Sequence, residues 1–188
     1  PQEARVHRNL GRAYASLGHL HEADEACRKA IEMDPKIPGA HMNLGLVLLE
    51  QSDLSGAMKE YQEEIRLSPR DPTVYWFIGK DLSTHGRIDE AISMYERSLE
   101  LDPGFAYAYN LRGWAHFLKG DLLAAKADLL MAVDVLPQFI WARRNLAVVL
   151  AELGDWQAAE VECLKAMDAV PGFSHAHSVL GWIYHRQG

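Results

Sequence analysis

Histidine and cysteine carry the widest chemistry in this chain, and there are nine of the first and two of the second. His175, His177 and His185 crowd towards one end, and His19 and His21 flank a short polar stretch. On a helix, residues two apart point to different faces, so His175 and His177 cannot share one ion. His177 and His185 stand about two helical turns apart, too far to close on one metal by themselves. These histidines read as packing or surface groups, and no metal is expected. Cys27 and Cys163 are too few for a four-thiolate zinc site or a disulfide-dense scaffold. There is no phosphate-binding Gly-rich loop ending in Lys-Ser/Thr, no Gly-x-Ser-x-Gly and no His-Glu-x-x-His. No catalytic residue and no cofactor is expected, and the chain is read as not an enzyme.

Composition narrows the remaining classes. Nineteen Lys and Arg against 26 Asp and Glu give a net charge of −7 over 188 residues. That sign argues against nucleic acid, whose binders are commonly basic. Apolar runs such as Leu146 to Leu150 are interrupted within a few residues, far short of the length that spans a bilayer, so no membrane insertion is expected. With 48% hydrophobic and 24% charged residues the chain has the composition of a folded protein rather than a disordered one. It starts at Pro1 without a signal peptide or targeting tail, which reads as a fragment of a longer chain. Two thiols with no evident partner point weakly to the cytoplasm.

The elements follow from an internal period. Pro35, Pro69, Pro103, Pro137 and Pro171 recur every 34 residues. On the same step run Gly11, Gly45, Gly79, Gly113 and Gly181, with Ala147 in the open slot. A second series is Gly18, Gly86, Gly120, Gly154 and Gly188, with Ser52 in its gap. Ala23, Ala57, Ala91, Ala125 and Ala159 form a fourth. Between the glycines, apolar residues fall at helical spacing, as in Leu10, Tyr14 and Leu17; after them runs Leu20, Ala23, Cys27, Ala30 and Ile31. Pro cannot continue a helix interior. Each unit therefore reads as helix A, a turn, helix B and a Pro stop. The first glycine and the alanine let A and B approach closely, and the second glycine suits a turn with positive φ. One such pair cannot bury its apolar faces alone, so the units must stack.

This pattern resembles the tetratricopeptide repeat (TPR) family. The family motif has an aromatic at position 4, Leu-Gly at 7–8, Tyr at 11, Gly at 15, Ala at 20, an aromatic at 24, Ala at 27 and Pro at 32. With Gly11 at position 8 the repeats are 4–37, 38–71, 72–105, 106–139 and 140–173, and 174–188 is the A helix of a sixth. The resemblance covers essentially all of 1–188 as a single array. It implies an all-α fold, a right-handed superhelical α-solenoid of helix-turn-helix units. Cys27 and Cys163 take position 24, a packing slot, four repeats apart and beyond disulfide reach. Several positions depart from the motif. Position 4 carries His7, His41, Tyr75, Tyr109, Arg143 and His177. Position 27 carries Glu64 and Ser98 in place of Ala. Repeat four has Arg112 and His116 where apolar residues are usual, and Arg112 is expected to pair with Asp128 on helix B.

The resemblance also implies a concave groove lined by positions 2, 5, 9, 12 and 13 of the A helices, with position 6 contributing. Four of the five Trp residues, Trp76, Trp114, Trp141 and Trp182, fall on those positions, joined by Tyr107 and Phe117. Trp is enriched where proteins bind one another. Arg5, Arg8, Arg12, Lys80, Arg144 and Arg186 share the face with only Glu50 and Glu152, which makes a mildly basic channel in an acidic protein. Asn9, Asn43 and Asn145 stand at position 6 and Asn110 one place earlier. Their amides could satisfy the backbone of an extended peptide, as in the TPR arm of O-linked N-acetylglucosamine transferase. The clamp with which chaperone-binding TPR domains hold a terminal carboxylate is matched only by Arg8 and Asn43; Arg12, Thr73 and Phe77 depart from it.

Three functions are compatible with this reading. The first is a non-catalytic scaffold that binds an extended, partly acidic peptide of a protein partner. The second is a substrate-recruiting arm of a larger enzyme, such as a glycosyltransferase. The third is self-association through the C-terminal helix, where Leu180, Ile183 and Tyr184 are expected to expose an apolar face.

Overall fold

In the computed structural model the described residues are 2–187, with side chains described as far as Arg186. Pro1 and Gly188, the last glycine of the second series in the sequence, lie outside them. Among the described residues there are eleven helices and no strand. They are α1 (Gln2–Ser16), α2 (Leu20–Met33), α3 (Ala40–Glu50), α4 (Leu54–Leu67), α5 (Pro72–Thr84), α6 (Ile88–Leu101), α7 (Ala106–Leu118), α8 (Leu122–Val135), α9 (Ile140–Glu152), α10 (Trp156–Ala169) and α11 (Ser174–Gln187). Odd-numbered helices are the A helices of the 34-residue period and even-numbered ones the B helices. The chain divides into two compact units, Pro1–Asp81 and Leu82–Gly188. In the first, α1 packs on α2 and on α3, and α3 packs on α4. In the second, α7 pairs with α8 and α9 with α10, and α11 lies on both α9 and α10.

The recurring residues account for this regularity. A Cβ placed on Gly45 would stand 2.5 Å from Cε1 of Tyr61, so helix A can sit against the position-24 ring only without a side chain there. Gly113 meets Leu129 in the same way, at 2.9 Å. The turn glycines Gly18, Gly86, Gly120 and Gly154 all have φ between 75 and 82°. Ser52, which fills the gap in that series, is the one non-glycine residue described with positive φ, at 66°. The residue before each repeat Pro closes helix B outside the helical region, with φ from −149° at Asp34 to −130° at Leu136 and positive ψ throughout. A Pro ring excludes its predecessor from the helical region, so the helix must stop there.

The departures at positions 4, 7 and 27 are replaced interactions. Arg112 donates two hydrogen bonds to Asp128, Nε at 2.7 Å and Nη2 at 2.6 Å, as expected from the sequence. Asp128 stands at position 23, and the same position supplies acids elsewhere. Glu60 lies 2.7 Å from Nδ1 of His41, and Glu162 lies 2.5 Å from Arg143. Two position-4 side chains also reach the carbonyl of the preceding Pro: Tyr75 Oη to Pro69 at 3.1 Å and Arg143 Nε to Pro137 at 2.9 Å. Arg143 thus ties helix A both to its own helix B and to the turn it emerges from, whereas His41 makes only the first link and Tyr75 only the second. Glu64, in an alanine slot, is only 1% exposed, and its carboxylate accepts hydrogen bonds from the backbone N–H groups of Gly39 and Met42 at 2.8 and 3.2 Å.

One expectation needs correction. Ile183 does not contribute to an exposed apolar face; it is fully buried in a core cluster with Leu146, Cys163 and Val179. Leu180 packs partly against the same cluster, because α11 turns its apolar stripe onto α9 and α10. Tyr184 is exposed, and its hydroxyl donates to Glu160 at 2.5 Å.

Candidate functional site

The A helices bring the expected residues together separately in each unit. In the first, Arg8, Asn9, Arg12, Met42, Asn43 and Phe77 line one pocket. Arg8 bridges two elements: its Nη1 donates to the Pro38 carbonyl at 3.1 Å, and its Nε and Nη2 both donate to Asn9 Oδ1. Asn43 is buried and donates from Nδ2 to the Arg8 carbonyl at 3.2 Å. The Arg12 guanidinium sits 5.7 Å from the centre of the Phe77 ring, and Trp76 meets that ring edge-on at 4.6 Å. The acids of the pocket are already committed. Glu64 holds the start of α3, and Asp71 accepts from Thr73 N at 2.9 Å. Lys80 lines an adjoining pocket with Arg12, Asn43 and Asp81. Arg5 is exposed at the first turn of α1.

In the second unit the arrangement is stacked. Trp114 lies face to face with Phe117 at 4.7 Å, and the Arg144 guanidinium covers Trp114 at 5.3 Å. Arg144 Nη1 donates to Asn145 Oδ1 at 2.8 Å, and Asn145 Nδ2 donates to Asn110 Oδ1 at 2.9 Å. Both asparagines are buried, so their amides form a ladder within the chain and spend part of their hydrogen-bonding capacity there. Nε of Arg144 is buried without a partner, and burial holds the guanidinium below its ordinary pKa. Trp141 and Tyr107 are the open members of the face, 45% and 46% exposed. Trp141 meets Phe173 at 5.0 Å and His175 at 4.8 Å; Tyr107 meets Phe139 at 4.8 Å and Phe105 at 5.9 Å. Trp182 is half-buried beside Trp156, with Arg186 over its ring at 5.8 Å.

Phe105, Phe139 and Phe173 join the site without being expected there. They occupy position 34 of three consecutive repeats, so the 34-residue step carries the signal. Each ends a turn and holds the position-2 aromatic of the A helix that follows or precedes it.

The arginines divide by partner. Arg28, Arg66, Arg87, Arg97, Arg112 and Arg143 each pair with a carboxylate. Among the described residues Arg5, Arg8, Arg12, Arg70, Arg144 and Arg186 pair with none; Arg70 is exposed in the turn before α5, the other five lie on A helices, and three of those five lie over aromatic rings. A guanidinium on a ring keeps its in-plane donors available while the ring stabilises its charge.

His177 Nδ1 lies 3.1 Å from the Phe173 carbonyl, and His19 and His21 lie near Glu22 and Glu25. Among the described residues no group of three or more His, Cys, Asp or Glu is placed to hold a metal. Cys27 and Cys163 are free and buried. No helix among the described residues is long and apolar enough to cross a membrane.

Comparison with known proteins agrees with the repeat geometry. No curated protein is significantly similar in sequence. Among solved structures, a thermophilic TPR protein of Thermus thermophilus, TTC0263, superposes with a TM-score of 0.71 at 19% identity, over 96% of this chain and 98% of that one. YrrB, described as a TPR protein with an unusual peptide-binding site, gives 0.66 at 20% identity, over 92% and 89%. The first TPR domain of Spaghetti (RPAP3), bound to the HSP90 peptide SRMEEVD, gives 0.60 at 20% identity, over 63% and 94%. Models of the tetratricopeptide repeat match residues 1–72, 78–138 and 140–163. The chain therefore belongs to the tetratricopeptide repeat family.

Proposed function

We propose that the chain, read as one run of repeats over 1–188, is a non-catalytic scaffold that binds extended acidic segments of protein partners on its A-helix face. The observation that carries this reading is the division of the arginines. Six arginines, on helix B, in a turn or packed between the two helices of a repeat, are neutralised by carboxylates of the chain, whereas Arg8, Arg12 and Arg144 stand with aromatic rings or amides and without an acid. A carboxylate from a partner supplies the missing charge, and Trp141 and Tyr107 offer apolar area beside it. The two similar structures with peptide-binding sites, one holding a peptide that contains Glu-Glu-Val-Asp, lend support from the same fold.

The test is a display selection of random peptides on the whole chain. Fluorescence anisotropy on the selected sequences would follow, with wild type and the Trp114→Ala/Trp141→Ala double variant. Enrichment of acidic peptides, with a loss of affinity of about tenfold or more in the double variant at unchanged helicity, is the expected result. Equal affinity in both proteins would sink the A-helix face as the binding surface.

A further inference from the structure

The opposite side of the second unit carries an independent feature. In every repeat the outward face of helix B is formed by positions 18, 22, 25, 26 and 29. In α2, α4 and α6 those positions are wholly polar; position 25, for example, is Arg28, Gln62 and Glu96. In α8 they are Leu123, Ala127, Leu130, Met131 and Asp134. In α10, Val161 and Leu164 interrupt the polar set. Leu123 is 73% exposed, Leu130 46% and Val161 and Leu164 47% each. A helix apolar on all sides is ordinarily buried on all sides, and α8 is covered on its inner side only. Leu130 and Val161 form the walls of a groove between α8 and α10, and its floor is Leu146 and Leu150 of α9. The first three repeats act as an internal control: the fold does not need apolar residues at these positions.

We infer that this α8–α10 groove is a second binding surface, for an amphipathic helix of a protein partner with basic residues at one end. The groove walls are helices whose backbone groups are already bonded, so an extended segment would find no main-chain partners there. The occupant must satisfy its own backbone, which a helix does. Charge sets its polarity. Asp134 and Asp168 stand at the C-terminal ends of α8 and α10, and Lys126 lies within the groove. Among the described residues none of the three has an ion pair, whereas Lys165 nearby is bound to Glu162 at 2.7 Å. Basic side chains at one end of the incoming helix meet Asp134 and Asp168, where they also complement the negative ends of the two helix dipoles. A second copy of this chain fits less well, because it brings a further net −7.

The test uses the isotopically labelled whole chain and three synthetic helical peptides of about 18 residues, long enough to hold helicity. One has leucines along one face and two lysines at one end. The second has those lysines changed to glutamate, and the third has the apolar face scrambled. The first peptide is expected to shift the amides around Leu130 and Val161 and to bind at least tenfold more tightly than the other two. Leu130→Glu with Val161→Glu, patterned on the polar residues of the earlier repeats, should abolish binding at an unchanged melting temperature. Asp134→Lys with Asp168→Lys should transfer the preference to the glutamate peptide without touching the apolar walls. Equal binding of all three peptides, binding by the first that ignores these variants, or shifts confined to the A-helix face would overturn the inference. So would a concentration-dependent dimer, abolished by Leu130→Glu, with no peptide bound. The arginine-lined face is tested by different residues, so the failure of one proposal is distinguishable from the failure of the other.

Discussion

The carboxylate of Glu64, near the end of α4, closes the N-terminus of α3 by accepting from the backbone N–H of Gly39 at 2.8 Å and of Met42 at 3.2 Å. Gly39 occupies the cap position with φ of 81° and has no side chain to do this itself. An acid that interrupts an alanine series is thus a cap supplied from another helix, and its negative charge lies at the positive end of the helix dipole. Glu64→Ala, which restores the repeat consensus, should therefore destabilise the chain by about 2 kcal/mol, because it leaves two donors unsatisfied. Glu64→Gln, which keeps one acceptor, should fall between. Denaturant titrations of the three proteins measure this, and an alanine variant as stable as wild type would refute the capping role.

Arg112 and Asp128 form a bidentate pair whose side chains are only 21% and 9% exposed. The pair holds the Arg112 guanidinium above its ordinary pKa, chiefly through the hydrogen bonds to Asp128. Breaking it from one side leaves a charge with little solvent, so Arg112→Leu or Asp128→Leu alone should cost about 3 kcal/mol. The double replacement should recover most of that loss, since apolar residues are what the motif ordinarily carries at position 7. A double-mutant cycle reads the coupling directly; additive losses would show that the two side chains do not depend on each other.

Ser52 has φ of 66° where its counterparts in the other turns are glycines. A Cβ in the left-handed region costs roughly 1 kcal/mol. Ser52→Gly should raise stability by about that amount, while Gly120→Ala, at φ of 81°, should lower it similarly. Thermal melts of both variants give the signs, and a destabilised Ser52→Gly protein contradicts the strain argument.

The period, the helix-turn-helix unit and the Arg112–Asp128 pair are legible in the sequence because each depends on residues at fixed spacing within one repeat. The cap on Gly39 is not: Glu64 registers only as a departure, and the N–H groups it meets belong to backbone that a residue pattern does not display. The asparagines illustrate a second limit. Their spacing places them on the A-helix face, but whether Asn145 offers its amide outward or to Asn110 at 2.9 Å depends on side-chain geometry across two helices. Ile183 escapes for a related reason, because the direction of α11's apolar stripe is set by its packing on α9 and α10.

The thiols give a chemical prediction. Burial pushes Cys27 up from 9.0 to about 12 and Cys163 up to about 11. At pH 8 the thiolate fraction is then about one in ten thousand for Cys27 and one in a thousand for Cys163. A disulfide-exchange reagent should leave both unmodified in the native protein and modify both after unfolding. Because the folded pKa values lie above the unfolded one, this stabilisation is complete below pH of about 9 and declines as pH rises towards 11 and 12. Rapid native-state labelling at pH 8 would refute the burial of these groups.

Arg144 lies over Trp114 at 5.3 Å, with its Nε buried and unpartnered and its charge disfavoured by burial. Its Nη1 still donates to Asn145 Oδ1 at 2.8 Å, so the group is only partly committed to the fold. Replacing it by an apolar side chain removes a desolvated donor but also the donor to buried Asn145, so Arg144→Leu should change stability by no more than about 1 kcal/mol. Its expected role is in binding. The same substitution should weaken an acidic peptide about tenfold, and the difference between wild type and variant should shrink as salt is raised. Arg144→Lys should recover charge but not the planar contact with the Trp114 ring, and so restore only part of the affinity. A large loss of affinity at little change in stability would identify Arg144 as a residue kept for a ligand. A variant that unfolds readily while binding normally would assign it to packing instead.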